Sequence, residues 1–498
     1  MYKDRPFQVG GTQQVKRSAS APTVHRGADD PTLTGHAGLM LVRDLNSKLH
    51  LVERLNAAVD GVRRFKQRQR GLMGGQLLVC LAESILAGGS HLAHLDPLRE
   101  DEAGRVLRAV AEVPAPETVS QLLPRFTQRQ CQAVVTELAR AGVELDRMLG
   151  LPEADPVTLD LDSTNTEVHG EQKEGATYNY EGKRSFGSLF CTWAERRRVL
   201  AADLRPGHAS DKPLAARLVL RALRTLPARH GEVRLRADSG FYSVGFLNWC
   251  RQHHLRFCVV VPHYQIMWEL RRHISPSAWR PALDMEGAEV AEVQFSPTGW
   301  KDEPLRLLVR RVRVEAQEIS KSPKSRRRRT MPKGQLQLAL KGLVGHTYAY
   351  TFIISDMAGD GVELEHWQRR RAHIEERIKD LKLGCGLIHL PLRRRRANYA
   401  WQTAAVIASN LTAMLSAANV ARERQEVEAA AYEGLTAERL AKVGQVHNTA
   451  VLRRWLFTVP ARLVRSGRRL YLRLAQGMFH KREFWALHHY LLRLAPTG

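Results

Sequence analysis

Phosphodiester chemistry on DNA commonly uses two divalent ions held by carboxylates. One ion activates the attacking oxygen and the other stabilises the leaving one. Mg²⁺ prefers oxygen ligands and keeps several waters, so such a site needs only a few Asp or Glu side chains from separate elements. Three acids here have suitable surroundings. Asp162 closes the alternating segment "VTLDLDST", Asp238 closes "EVRLRADS", and Glu375 lies within "RRRAHIEERIKDLK". In an α/β sheet, adjacent strand ends converge on one edge, where sites form. Each acid also has a plain structural reading. Asp162 and Asp238 would cap the turns that follow them, and Glu375 would be one rung of an exposed Arg371–Glu375–Lys379 ladder. Asp160 and Glu376 are the reserve acids.

The spacing around Glu375 predicts a helix over 363–383. Ile374, Ile378 and Leu381 form its apolar stripe. Arg371, Glu375 and Lys382 follow one edge of that stripe at steps of four and seven, whereas Glu376 lies about 100° further round. This geometry lets Glu375 reach over the sheet edge towards Asp162 and Asp238, with Arg371 and Lys382 beside it as phosphate contacts.

The elements that would position these acids can be read from periodicity. In "VTLDLDST", Val157, Leu159 and Leu161 point one way and Thr158, Asp160 and Asp162 the other. Strands "SFGSLFCTWA" and "VLAADLRPG" follow, then a helix, strand "EVRLRADS", a helix and the apolar strand "RFCVVVP". Three strands in an antiparallel meander, then two parallel strands reached by helical crossovers, make a mixed α/β sheet with helices on its faces.

The remaining chain divides around this sheet. Residues 1–35 read as a flexible basic tail and 36–150 as a helical N-terminal domain. The sheet occupies 151–263, and a β-rich insertion follows over 264–350. The insertion contains the basic stretch "SKSPKSRRRRTMPKGQ", expected as a mobile loop with Lys324, Arg326, Arg327, Arg328 and Arg329. Residues 351–430 return to the α/β domain with the Glu375 helix and a long following helix. The segment 431–498 ends the chain, with a β-hairpin turning at Ser466-Gly467.

Composition fits a nucleic-acid partner. In 498 residues, 76 Lys and Arg outweigh 51 Asp and Glu, for a net charge of +25. A field of that sign favours a polyanion, with ribosomal or anionic-membrane surfaces as the alternatives. The Arg runs at 196–198, 326–329 and 393–396 read either as contacts to it or as solvated charge. None of the six cysteines forms a C-x-x-C pair, which argues against a zinc finger and for buried thiols in a reducing compartment. "MYKDRPFQVGGTQQ" has no apolar signal-peptide core. The stretch Gln76–Gly88 is too short to span a bilayer. A cytoplasmic, nucleoid-associated protein without a membrane partner is expected.

Together, "DLDST", "HGEQKEGATYNY", "PGHASD", "RADSGFY" and "RAHIEERIKDLK" resemble bacterial insertion-sequence transposases of the DDE class. The likeness is to the branch with a β insertion before the Glu, the insertion-sequence thirteen-eighty family, and it runs from about Gly71 to the C-terminal hairpin. It implies an RNase-H-like catalytic domain in which Asp162, Asp238 and Glu375 bind two Mg²⁺ ions, with Mn²⁺ as a substitute. The signature Y-x2-R-x3-E-x6-K falls on Arg371, Glu375 and Lys382. Its Tyr falls on Gln368, a departure, with Trp367 one residue early as a substitute contact to the cut strand.

The resemblance further implies cut-and-paste transposition through hairpin ends. The helical N-terminal domain, the basic insertion and the C-terminal hairpin would grip double-stranded DNA, both terminal inverted repeats and target. Two protomers would act in the synaptic complex. The alternatives are a catalytically inactive DNA-binding relic and an RNase-H-like nuclease without strand transfer.

Overall fold

The computed structural model describes residues 30–431 and 447–495, apart from positions 69, 153–155, 180, 301 and 324. Most of the expected basic tail, and Lys324, therefore lie outside the described residues. The chain begins with β1 (Leu33–Thr34), then α1 (Met40–Leu49), α2 (Leu51–Val62), α3 (Gly74–Leu86), α4 (Asp96–Glu100), α5 (Pro116–Leu122) and α6 (Gln128–Met148). Helix α6 starts at a reciprocal cap. Gln130 N–H donates to Thr127 Oγ1 at 3.2 Å, and Thr127 N–H donates to Gln130 Oε1 at 2.8 Å. Gly75 allows close packing of α3 on α2, since a Cβ there would lie 2.4 Å from Asn56 N.

The sheet follows as β2 (Val157–Glu167), β3 (Thr177–Tyr178), β4 (Arg184–Trp193), β5 (Arg198–Pro206), α7 (Lys212–Leu223), β6 (Val233–Ala237), α8 (Val244–Gln252) and β7 (Arg256–Val261). Strand β2 pairs antiparallel with β4, and β4 with β5, while β2–β6 and β6–β7 are parallel. The spatial order β5-β4-β2-β6-β7 is the mixed sheet, an antiparallel meander followed by two parallel strands, that the alternation and crossovers lead one to expect, and it agrees with the RNase-H-like domain that the resemblance implies.

The expected insertion differs from a separate unit. After α9 (Gln265–Arg272) come β8 (Arg280–Pro281), β9 (Ala288–Phe295), β10 (Leu305–Glu315), α10 (Lys333–Leu340) and β11 (His346–Ser355). Strand β11 pairs with β10 along its length and with β7 from Phe352↔Val261 to Ser355↔Cys258. One strand thus belongs to insertion and domain alike, and among the described residues the result is a single ten-stranded sheet. A boundary at 350 would cut β11 in two. The basic stretch is also more structured than a loop: Arg327–Thr330 form a 3₁₀ turn and α10 follows. Met331 is buried with Val314, Ile319 and Ala339, and that burial holds the segment.

Helices cover both sheet faces. Leu159, Leu161, Leu235 and Ala237 pack with Ala215 and Leu218 of α7 and Phe246 of α8. On the opposite face, Phe186, Phe190 and Ala202 join one core with α3, α6 and α13 (Arg395–Ala431). The N-terminal helices are therefore not a detached domain. They share their interior with the sheet through α13, which lines α3, α6 and β5. By length and composition α13 is apolar enough to cross a membrane, yet 83% of its most apolar window is buried inside this protein. A helix apolar on all sides is a core helix in such surroundings.

The hairpin of β12 (Ala461–Ser466) and β13 (Arg469–Leu474) turns at Gly467-Arg468, where Gly467 takes a φ of 59°. It carries β1 on its edge, with Leu33 opposite Arg462 and Thr34 opposite Ala461. Structure thus begins inside the segment expected as a tail.

Candidate active site

The parallel ladder between β2 and β6 ends at the pair Leu161↔Ala237. Asp162 and Asp238 are the next residues on each strand. Strands in a ladder lie about 4.8 Å apart, so the two acids are neighbours at one sheet edge. Asp162 lies opposite Phe190 of β4, on the face covered by α13. Asp238 is half-buried and turns the chain away: Gly240 N–H donates to its Oδ1 at 2.9 Å.

Where the ladder ends, its last carbonyls find side-chain donors on the Glu375 segment. Gln368 Nε2 donates to Ala237 O at 3.1 Å, and Arg371 Nη1 donates to Leu161 O at 3.2 Å. Further along, Lys382 Nζ donates to Asn165 O at 3.0 Å. Arg371 and Lys382, both expected to touch phosphate, here tie their own segment to β2. Burial holds the Lys382 ammonium below its usual pKa.

That segment is not the single helix the spacing predicts. Helix α11 (Gly361–Arg369) is capped by Asp360, whose Oδ1 accepts from Val362 N–H at 2.8 Å. The chain then tightens. Arg371 N–H reaches Gln368 O and, in the first turn of α12 (Ala372–Lys379), Ile374 N–H reaches Arg371 O, both three residues back. The turn over Asp380–Gly384 widens into a π-helix, a form often found at functional sites. Ile374, Ile378 and Leu381 still face the core as expected, and Glu375 and Glu376 are exposed.

Below the edge, the reserve acid Asp160 is committed elsewhere. Arg236 donates to it from Nε and Nη2, at 2.6 and 2.8 Å, and the pair is almost wholly buried. Arg236 also donates to Trp367 O at 2.7 Å, and its guanidinium lies 4.8 Å from the Trp367 ring centre. Trp367 is half-buried against a small core cluster. Gln368, at the signature's Tyr position, is buried and bonded to β6.

Asp162 is 7% exposed, and both its oxygens are engaged. Oδ1 accepts from Ser163 N–H at 2.7 Å, and Oδ2 faces Arg371 Nη1 at 3.3 Å. Burial pushes its carboxyl up to about 6. Arg371 opposes the rise, and the negative charges of Asp238 and Glu375 add to it. The three expected acids therefore share one electrostatic neighbourhood.

A fourth acid joins them that the sequence reading missed. Asp211 stands at the start of α7, on the other face of the sheet. Its Oδ2 accepts from Ser163 Oγ at 2.9 Å, and Arg205 pairs with its Oδ1. Gly240 sits between two carboxylates: a Cβ there would lie 3.1 Å from Asp238 Oδ1 and 3.2 Å from Asp211 Oδ2. Burial raises the Asp211 carboxyl pKa, Arg205 opposes this, and Asp238 adds to it. The signal was the last letter of "PGHASD", quoted above only as part of a motif.

By chemistry these donors suit a hard divalent ion such as Mg²⁺ or Mn²⁺. By placement they are not yet a cage. Among the described residues, no three His, Cys, Asp or Glu side chains stand together closely enough to hold a metal.

The basic residues expected to touch DNA are dispersed. Arg326 Nη2 meets Glu181 Oε1 at 2.6 Å, beyond β3, and Arg328 Nη1 donates to Lys321 O at 2.8 Å. Arg327 and Arg329 are exposed in the short turn. The run at 196–198 is largely structural. Arg197 takes the left-handed φ of the turn before β5, and Arg196 and the buried Arg198 pair with Asp146.

A solved piggyBac transposase synaptic complex with hairpin DNA is similar at 11% identity and a TM-score of 0.38. The match covers 85% of this chain and 79% of that one. No curated protein matches the sequence. The pattern of one protein family, Transposase DDE domain group 1, matches residues 16–322. That span contains Asp162, Asp211 and Asp238 and ends before Glu375. Since it covers more than half of the sequence, the chain belongs to the DDE transposases of domain group 1.

Proposed function

We propose that this chain cuts DNA at the ends of a mobile element and joins the freed 3′ ends to target DNA, with Asp162, Asp238 and Glu375 as the metal-binding catalytic acids. The observation that carries this reading is the double tether at the end of the β2–β6 ladder. Gln368 and Arg371 bind the carbonyls of Ala237 and Leu161, the last pair of the ladder and the residues just before Asp238 and Asp162, and so tie the segment carrying Glu375 to that place. A pair of bound Mg²⁺ or Mn²⁺ ions would supply positive charge to the attacking and leaving oxygens of an in-line displacement.

The chain's own residues have distinct tasks in this scheme. Asp162 and Asp238, on adjacent strands, and Glu375, on the exposed side of α12, would hold the ions. Arg371 offsets the charge of Asp162 and would be free to meet a phosphate if that carboxylate turned away. Lys382 remains the second phosphate contact of the signature.

The finer assignment to the insertion-sequence thirteen-eighty branch, the closing and reopening of hairpin ends, and the action of two protomers on paired inverted repeats belong to this proposal. So do phosphate contacts from Arg326 to Arg329 and a place in the cytoplasm at the nucleoid.

The test is an assay of the full chain with Mg²⁺ or Mn²⁺ on duplexes carrying the inverted repeats that flank its coding region. Cleavage at the repeat ends, joining to a target duplex, and loss of both in D162N, D238N and E375Q are expected. No cleavage by the unmodified protein would leave the inactive-relic reading. Cleavage without joining would leave a plain nuclease.

A further inference from the structure

A second basic site lies in the N-terminal helices, on residues that belong to none of the Arg runs. The segment "RRFKQRQRG" connects α2 to α3. Together with residues preceding and within α5, it encloses a cavity of about 570 Å³. Cations surround it: Arg63, Arg64, Lys66, Arg68 and Arg70 from the connection and Arg125 from the facing wall. Among the described residues, none of these forms an ion pair with a carboxylate, and the one acid of the lining, Glu112, is paired with Arg105 at 2.9 Å. Six like charges around one concavity repel one another unless an anion joins them.

The connection is built rather than loose. Phe65 is buried with its ring 4.5 Å from that of Phe126, and its N–H donates to Asp60 Oδ1 at 2.9 Å. Lys66 Nζ closes the bend by donating to Arg70 O and Leu72 O, at 3.0 and 2.7 Å. Gln130 Nε2 of α6 holds Arg63 O at 2.7 Å. These bonds hold the backbone at Arg63, Phe65, Arg70 and Leu72, while Arg63, Arg64, Arg68, Arg70 and Arg125 stand exposed.

The floor narrows the choice of anion. Phe65, Leu72, Val113, Pro114 and Leu122 line the cavity below the charges. In a duplex the bases are stacked inside, so a duplex backbone would meet the charged rim and leave the apolar floor bare. A nucleotide splayed from its strand presents both parts at once, a base for the floor and flanking phosphates for the rim. A cavity of this volume is of the size that takes one small ligand.

We propose that this cavity binds an unpaired nucleotide of a DNA strand, through its flanking phosphates on Arg64, Arg68 and Arg125 and its base on the apolar floor. The inference rests on the reading of the chain as a DNA-processing transposase and adds a separate site for single-stranded DNA.

The test is fluorescence anisotropy of the full chain with a labelled duplex bearing a short single-stranded overhang and with the same duplex blunt. The unmodified protein should bind the overhang duplex at least about tenfold more tightly. In R64A/R68A/R125A that preference should vanish while blunt-duplex affinity stays within about twofold. The dependence of log affinity on log salt for the overhang duplex should flatten by about 1.4, at roughly 0.7 for each of the two flanking phosphates. The three arginines are exposed, so the variant should fold; matching far-ultraviolet circular dichroism checks this. An unmodified protein without overhang preference, or a variant that keeps it, overturns the proposal. Equal loss on both duplexes does so too, by making the patch a general backbone surface. Cleavage of blunt inverted-repeat duplexes separates the two readings, since it survives if only this proposal fails and is absent if the transposase reading fails.

Discussion

Arg371 Nη1 lies 3.3 Å from Asp162 Oδ2 and 3.2 Å from Leu161 O, so one guanidinium nitrogen spans a backbone carbonyl and the neighbouring acid. It links the Glu375 segment to the first strand of the sheet and partly neutralises a carboxylate that burial disfavours.

Asp162 should therefore stabilise the protein less than its replacement does. Its carboxyl is raised from an ordinary 3.8 to about 6. Stability from this group is present below about pH 4 and lost as pH rises through about 6. At pH 7 the ionised form costs roughly 3 kcal/mol, at 1.36 kcal/mol per unit. Removing the charge in Asp162→Asn should raise metal-free stability by up to roughly 3 kcal/mol, since the net rise already includes the opposing pull of Arg371. Urea unfolding without divalent ions measures this. A large destabilisation would mean that the pairing outweighs the burial cost.

Asp211 adds negative potential next to Asp238 and holds Ser163 beside Asp162. Asp211→Asn should weaken Mn²⁺ binding several-fold by calorimetry. Unchanged Mn²⁺ affinity would restrict Asp211 to holding the turn.

The Asp160–Arg236 pair lies one pleat below the site and is almost wholly buried. Arg236→Ala leaves a buried carboxylate without its partner and removes the group under Trp367, so a loss of about 3–5 kcal/mol is expected. Thermal unfolding reads this directly. A shift of only a degree or two would show that Asp160 takes up a proton at little cost.

Glu83 in α3 is a separate pH-dependent element. It is 1% exposed and accepts from Ala109 N–H at 2.7 Å and Val110 N–H at 3.3 Å, yet burial pushes its carboxyl up to about 7. The folded state holds this proton more tightly than the unfolded chain. The contribution is full below about pH 4.5 and falls by roughly 3 kcal/mol as pH rises through 7. Glu83→Gln should flatten the stability profile between those values in urea titrations at successive pH. A profile as steep as the parent's would assign the slope to another group.

The sheet was legible because its strands obey a rule of two. Val157, Leu159 and Leu161 against Thr158, Asp160 and Asp162 assign each residue to a face, and the backbone follows that assignment. Asp238 does follow the end of β6, but Asp162 lies inside β2, which stays paired with β4 as far as Glu167. What the two acids share is the end of the β2–β6 ladder, which the crossover rule places side by side.

Other parts depend on contacts that periodicity does not carry. The break at Arg370–Arg371 occurs inside a run of good helix formers. Here the side chains of Gln368 and Arg371 bind strand carbonyls from more than a hundred residues away, and tertiary contact overrides local preference. Asp211 stands in a loop, where no repeating pattern marks a face. Arg198 read as surface charge, and only the fold shows Asp146 beside it. The cradle around Arg64 and Arg68 was passed over because its cations alternate with Phe65 and Gln67 and do not form an unbroken run.

The place of α13 in the core has a consequence for synthesis. The N-terminal helices leave the ribosome first, but the helix that fills the space between α3 and α6 is made some three hundred residues later. Strand β1 waits longer still, for Ala461 and Arg462. Contacts so distant in sequence form slowly. The early helices must therefore stay unaggregated while incomplete, and a chain stopped before α13 would expose Leu78, Leu81 and Leu138, which the finished protein buries.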